Sequence, residues 1–157
     1  MGNRTVEGCS SLIYIHVPSS ATNAGGFGEY FPSTIETAGP TGGGYNFEYD
    51  WTTIIGGQYC LSSRAFREVT FPSTTTNIPN YCMHNSSVNV NKIYCYAMTA
   101  PTTYAYTFGG SGAQAVGYNN KDAGTNELHV PVGATGYDAG QWAVLVNSLG
   151  FTIYYDL

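Results

Sequence analysis

Charge is scarce in this chain. Charged residues make up 10% of its 157 residues, against about a quarter in an average globular protein. The net charge is −5, from five basic and ten acidic residues. The basic residues are scattered along the sequence, at Arg4, Arg64, Arg67, Lys92 and Lys121. Because no basic stripe is present to neutralise phosphates, nucleic acid is not an expected partner.

Long apolar runs are also missing. The longest run near the start, Leu12 to Ile15, is too short for the core of a signal peptide. No stretch has the length that a membrane-spanning helix needs. We therefore expect no membrane insertion.

The four cysteines, Cys9, Cys60, Cys82 and Cys95, form no Cys-x-x-Cys pair and no metal-ligand spacing. Two disulfides would be possible in an oxidising compartment. We favour four buried, reduced thiols, which act as small apolar residues, because the sequence shows no signal peptide.

Catalytic and metal signatures are absent as well. The sequence has no Gly-x-Ser-x-Gly elbow, no His-Glu-x-x-His pair and no phosphate-binding loop. His16, His84 and His129 are the three histidines. They could meet at a metal ion on a threefold axis, but isolated histidines more often serve the core or the surface. We expect no metal, no other cofactor and no catalytic residues.

Small polar and aromatic residues take the place of charge. The chain has 20 glycines and 14 tyrosines, and its aromatic content is 15%. This content argues against disorder. It is typical of short strands joined by Gly-rich turns, and hydroxyl, amide and tyrosine surfaces suit contacts with sugars or proteins. One domain spanning residues 1–157 is expected.

Two segments carry the strongest strand patterns. From Tyr45 to Ile55, aromatic and polar residues alternate, and Gly56-Gly57 then predicts a hairpin turn. Between Gln141 and Leu157, two β-branched and aromatic runs flank Asn147 to Gly150, which predicts a second hairpin. No segment has a helical period. The expected fold is all-β, an antiparallel β-sandwich or jelly roll, with at most one short helical turn.

The C-terminal hairpin also predicts an assembly. Apolar residues lie on both faces of its strands, from Gln141 to Tyr155. A monomer with so few charges would expose part of that apolar surface, which is uncommon in soluble monomers. We therefore expect a homotrimer, with a single subunit that covers both faces as the alternative.

Three short segments resemble a known family. Arg67 to Pro72 reads Arg-Glu-Val-Thr-Phe-Pro, Asn77 to Cys82 begins Asn-Ile-Pro, and Gly150 to Tyr155 reads Gly-Phe-Thr-Ile-Tyr-Tyr. They resemble the C-terminal receptor-binding domains of bacteriophage tail fibres, whose strand pattern is similar to that of H-type lectins. The chain departs from the family by a long polar insertion at about Pro101 to Gly140 and by its extended N-terminal third.

This resemblance implies a trimeric β domain at a fibre or spike tip of a virion. Such a tip binds a glycan or protein receptor on the host surface and is not an enzyme. No binding residue can be carried over, because none of the matching segments holds the family's binding site.

Two polar loops predict a glycan site from their own chemistry. Sugars bind to aromatic faces and to planar polar groups that pair with their hydroxyls, although Asn and Asp also simply build turns. The candidate ligand-binding residues are Tyr118, Asn119, Asn120, Asp122, Tyr137 and Asp138.

Two alternative functions remain open. One is a secreted, extracellular lectin-like module with disulfides. The other is a glycan-degrading enzyme that uses Glu48 and Asp50, which lie two residues apart on one predicted strand face. Their carboxylates would be roughly 6–7 Å apart, within the range of glycosidase acid pairs. The solvated face of an ordinary strand has the same pattern.

Overall fold

A single parallel sheet organises the molecule. The computed structural model describes residues 13–21, 31–40, 45–84 and 87–157. In this part of the chain, seven strands form one sheet in the order β1-β3-β2-β4-β5-β6-β7, and every neighbouring pair is parallel. The strands are β1 Ile15–Val17, β2 Thr37–Pro40, β3 Phe47–Tyr49, β4 Glu68–Phe71, β5 Lys92–Cys95, β6 Asn126–Val130 and β7 Phe151–Tyr155.

The predicted antiparallel sandwich or jelly roll is therefore wrong. The arrangement is α/β-like, with one α-helix, α1 (Gly140–Ser148), between β6 and β7 in the described residues. The turn at Gly56-Gly57 does not join two antiparallel strands. Ile54 instead forms a parallel bridge to Asn77, and Asn77 forms one to Thr102. The chain therefore returns to the same side of the sheet before each new strand.

We call four successive circuits of the chain coils: 47–67, 68–91, 92–125 and 126–150, which begin with β3, β4, β5 and β6. Equivalent residues stack from coil to coil. Val69 lies opposite Ile93, and Ile93 lies opposite Leu128. All three side chains are fully buried. Burial of each is worth roughly 1.5–3 kcal/mol, so this row forms the centre of the core.

The helix α1 replaces the first strand of the predicted C-terminal hairpin. Trp142, Leu145 and Leu149 are buried at intervals of three and four residues, which places them on one helical face. The Trp142 ring meets Phe108 and Tyr137 edge-on at centroid distances of 4.9 and 5.0 Å. Its Nε1 donates to the carbonyl oxygen of Pro101 at 3.0 Å. Tertiary packing of this face therefore favours a helix in a segment rich in strand-forming residues.

No helix in the described ranges has the length and apolarity needed to cross a bilayer.

Close packing of the chain at Gly150 gives a direct test of the coil arrangement. Gly150 has φ +70°, and a Cβ there would overlap the carbonyl oxygen of Lys121. Gly124 has a similar φ of +67°, but a Cβ there would meet no atom within 4 Å. An alanine at either position costs about 1–2 kcal/mol for the left-handed backbone. At Gly150 the steric overlap adds about 1–3 kcal/mol.

Gly150→Ala should therefore lower the free energy of unfolding by about 3 kcal/mol, and Gly124→Ala by about 1 kcal/mol. Urea denaturation monitored by tryptophan fluorescence measures both. Equal losses in the two variants would show that residue 121 does not pack on residue 150.

Candidate functional site

Four of the predicted ligand-binding residues lie on one loop. Tyr118, Asn119 and Asn120 form a short 3-10 helix. Asn119 Nδ2 donates to Asn89 Oδ1 at 2.8 Å, and Asn120 Nδ2 donates to the Asn89 carbonyl at 3.3 Å. Their amides thus fasten the loop to the preceding coil.

The charged residues of this loop pair with each other. Lys121 Nζ donates to Asp122 Oδ2 at 2.6 Å and lies 5.5 Å from the centre of the Tyr118 ring. Asp122 is otherwise exposed. A sugar at this loop would have to compete with bonds that the loop already makes within the protein.

Tyr137 and Asp138 are placed differently. The Tyr137 side chain is 1% exposed, and its hydroxyl donates to the Ala97 carbonyl at 2.8 Å. Burial raises the pKa of Tyr137. Of these two residues, only Asp138 is exposed. Tyr137 is thus a core residue that supports Trp142, and its ring offers no face to a ligand.

A second group of tyrosines builds a corner that we did not predict. The rings of Tyr59 and Tyr81 stack at 5.8 Å, and those of Tyr81 and Tyr106 stack at 5.3 Å with an interplanar angle of 4°. Their backbones are hydrogen-bonded in the same order, since Tyr59 N–H donates to the Tyr81 carbonyl and Tyr81 N–H donates to the Tyr106 carbonyl. Three coils therefore place the same residue type at the same corner.

Two of these tyrosines adopt a conformation that L-residues rarely take. The φ angles of Tyr59 and Tyr81 are +58° and +61°. Such backbones cost about 1–3 kcal/mol each and persist only where the surrounding packing holds them. The ring stack and the backbone hydrogen bonds between successive coils supply that packing.

His84 closes one side of this corner. Its ring meets Tyr81 edge-on at 5.3 Å and Tyr106 at 6.1 Å. Its Nδ1 is buried and has no hydrogen-bond partner among the described residues. Burial lowers the pKa of His84, which favours the neutral ring at neutral pH. A neutral imidazole offers one donor and one acceptor.

A cavity of about 600 Å³ opens beside His84 and Tyr106. The segment 109–114 completes its wall. Gly109 has φ +85°, and a Cβ there would lie 2.7 Å from the Gln114 carbonyl oxygen, so the loop folds tightly upon itself. We call this cavity, with His84, Tyr106, Ser111 and Gln114, the corner pocket. No charged side chain is among the described residues that line it.

The outer face of the sheet carries a third cluster. The ring of His129 stacks between Tyr94 at 4.7 Å and Tyr154 at 5.1 Å. His129 Nε2 lies 3.0 Å from Glu127, and Nδ1 lies 2.9 Å from Asp156. The two tyrosines cover both faces of the His129 ring, and carboxylates lie against both imidazole nitrogens. His129 is therefore fully engaged within this cluster.

The predicted acid pair also lies on the outer face. His16 Nε2 is 3.2 Å from Asp50 Oδ2, and Tyr14 Oη donates to Glu48 Oε2 at 2.9 Å. No group of three metal-binding side chains suited to an ion occurs in the part of the chain that the structure describes. Both carboxylates thus take part in local bonds at the first strands of the sheet.

The ionisation of Glu127 should make the stability of the fold depend on pH. Its hydrogen bond to His129, aided by the charge of Lys92, lowers the pKa of Glu127 from its ordinary value of 4.5. The carboxylate therefore stabilises the fold fully above pH 4.5 and loses this effect as the pH falls through its lower folded pKa. The hydrogen-bonded pair of Glu127 and His129 is partly exposed, so it contributes at most about 1 kcal/mol to the free energy of unfolding.

Glu127→Gln should accordingly be less stable than the parent protein at pH 6, and the difference should vanish near pH 3. Thermal unfolding of both proteins across this range measures it. A difference that stays constant with pH would contradict the assigned bond.

The comparisons with known proteins add no relative. No protein-family model, no curated protein and no solved structure matches this chain. A function for the chain therefore has to be argued from its own geometry.

Proposed function

We propose that this chain is a receptor-binding module that attaches a viral particle to a host-surface glycan through the corner pocket. The observation that carries the proposal is the meeting of three groups at one cavity. Tyr106, the last ring of its stack, is 47% exposed. His84 lines the same cavity, and Gln114 brings an exposed amide.

The chemistry of the pocket favours a neutral sugar. An aromatic ring provides an apolar surface for the CH groups of a pyranose, and an amide and an imidazole pair with its hydroxyls. The backbone of 109–113 adds further polar groups, because glycines let a ligand approach the main chain closely. An anionic ligand would find no cation among the lining residues of the described ranges.

A binding role is preferred to hydrolysis. Glycoside hydrolysis uses two carboxyl groups on either side of the scissile bond. In the part of the chain that the structure describes, the residues lining the corner pocket include no carboxylate. Glu48 and Asp50, the alternative acid pair, are bonded to Tyr14 and His16 instead. This arrangement supports recognition without turnover.

The resemblance to bacteriophage tail-fibre ends supports a place at a fibre or spike tip. Stacked parallel coils make a stiff scaffold, and the pocket lies on a loop that the scaffold holds at its corner. A secreted lectin-like module is the alternative. It would use the same pocket, but its cysteines would form disulfides.

We further propose that the module is a homotrimer. Trp142 and Phe151 are 1% and 3% exposed within one subunit, so the assembly would use other residues. Val132, Met98 and Tyr155 are 69%, 56% and 51% exposed. Apolar side chains this exposed favour burial between subunits. Three pockets on one particle tip would also convert weak single-site binding into strong attachment.

The trimer predicts a specific loss on substitution. Val132→Glu should yield a folded monomer, because the side chain is exposed in the subunit and a charge disfavours its burial between copies. Light scattering and circular dichroism together separate dissociation from unfolding. A parent protein with the 16.8 kDa mass of one chain at micromolar concentration would overturn the proposal.

If the corner pocket is the binding site, Tyr106 should contribute to glycan binding. A glycan array identifies a ligand, and calorimetric titration of that glycan then compares three variants. Tyr106→Ala should weaken binding about tenfold or more, since loss of a stacking ring costs about 1.4 kcal/mol. Tyr96→Ala is the matched control, because Tyr96 is 43% exposed but does not line the pocket. A loss in Tyr118→Ala with none in Tyr106→Ala would move the site to the 118–122 loop.

A further inference from the structure

Two thiols in adjacent coils lie almost within bonding distance. Cys60 Sγ and Cys82 Sγ are 3.4 Å apart. Both side chains are buried, at 3% and 0% exposure, and both cysteines are free in this structure. A disulfide bond is about 2.05 Å long. The two sulfur atoms would have to approach by only about 1.4 Å to form one.

The backbone around these residues holds the two coils side by side. Leu61 N–H donates to the Cys82 carbonyl at 3.1 Å, and Tyr59 N–H donates to the Tyr81 carbonyl at 2.9 Å. The stacked rings of Tyr59 and Tyr81 fix the preceding residues as well. The two cysteines are therefore held as neighbours in adjacent coils, and the gap that remains is the one between their sulfur atoms.

We propose that Cys60 and Cys82 are a disulfide site. When a small disulfide oxidant is present, the bond joins the coil 47–67 covalently to the coil 68–91. The oxidant class is a low-molecular-weight disulfide. One cysteine thiolate attacks it to give a mixed disulfide and release one small thiol. The second cysteine thiolate then displaces the other small thiol. Two protein thiols are oxidised, and one small disulfide is reduced to two thiols.

Cys95 does not share this arrangement. Its Sγ lies 3.1 Å from Tyr137 Oη, which donates its proton to the Ala97 carbonyl. Burial raises the pKa of Cys95 to about 11. The thiol is thus both engaged and poorly nucleophilic, which makes it the internal control for selectivity.

The same burial governs the rate of the reaction. Burial and the contact with Cys60 raise the pKa of Cys82, so little thiolate forms in the closed structure. Exchange should require local opening of the corner, or should occur while the chain folds. Once formed, the bond should resist reductants for the same reason. The cross-link closes the segment 60–82 and fastens the corner that carries Tyr81 and His84.

The experiment uses the full chain with Cys9→Ser, so that Cys9 takes no part. The protein is unfolded in urea, refolded with oxidised glutathione, alkylated and digested. Mass spectrometry should find one peptide pair joined through Cys60 and Cys82, with Cys95 alkylated. The oxidised protein should have an unfolding equilibrium constant smaller on the order of 100-fold than the reduced protein.

Cys60→Ser on the same background is the matched control. It should refold, show no linked peptide and gain no stability from oxidised glutathione. A glutathione adduct on Cys60 beside an alkylated Cys82 would overturn the proposal. So would a linked pair that includes Cys95, or a cross-linked protein less stable than the reduced one. None of these outcomes depends on whether the corner pocket binds a glycan.

Discussion

Hydrogen bonds between parallel backbones hold each coil of this protein in register with the next. The strand pairings place Glu68 opposite Lys92, and Lys92 opposite Glu127. The same register continues beyond the strands, where Asn77 bridges to Thr102. Because residues stack directly, each row places side chains from successive coils in contact. One row is aliphatic and fills the core, and others are aromatic and line the corner or the outer face.

Part of this arrangement could be predicted from the sequence. The Val-Thr-Phe segment before Pro72 and the Phe-Thr-Ile-Tyr-Tyr segment are strands β4 and β7, as their β-branched and aromatic residues indicate. Strand direction could not be predicted, because a short half-buried strand has the same alternation in parallel and antiparallel sheets. The helix α1 was missed because Trp142, Val144 and Val146 also fit an alternating strand pattern.

The candidate site was harder still to predict. Tyr106 and His84 lie far apart in the sequence and meet only because their coils stack. A signal was present, since tyrosines at 59, 81 and 106 recur at a nearly constant interval. Without known coils this recurrence has no structural meaning. Tyr137 shows the opposite problem, since its polar, Gly-flanked surroundings suggest a surface loop, but its hydroxyl bonds inside the core.

The unequal lengths of the coils have an evolutionary consequence. The coil 92–125 is longer than the coil 68–91, yet both end in the same register with the following strand. The extra length includes the loop 109–114, which forms the wall of the corner pocket. Insertions or deletions in this loop would leave the ladder of strands unshifted. Variants of this protein could thus diverge in the shape of the pocket while their scaffold is inherited unchanged.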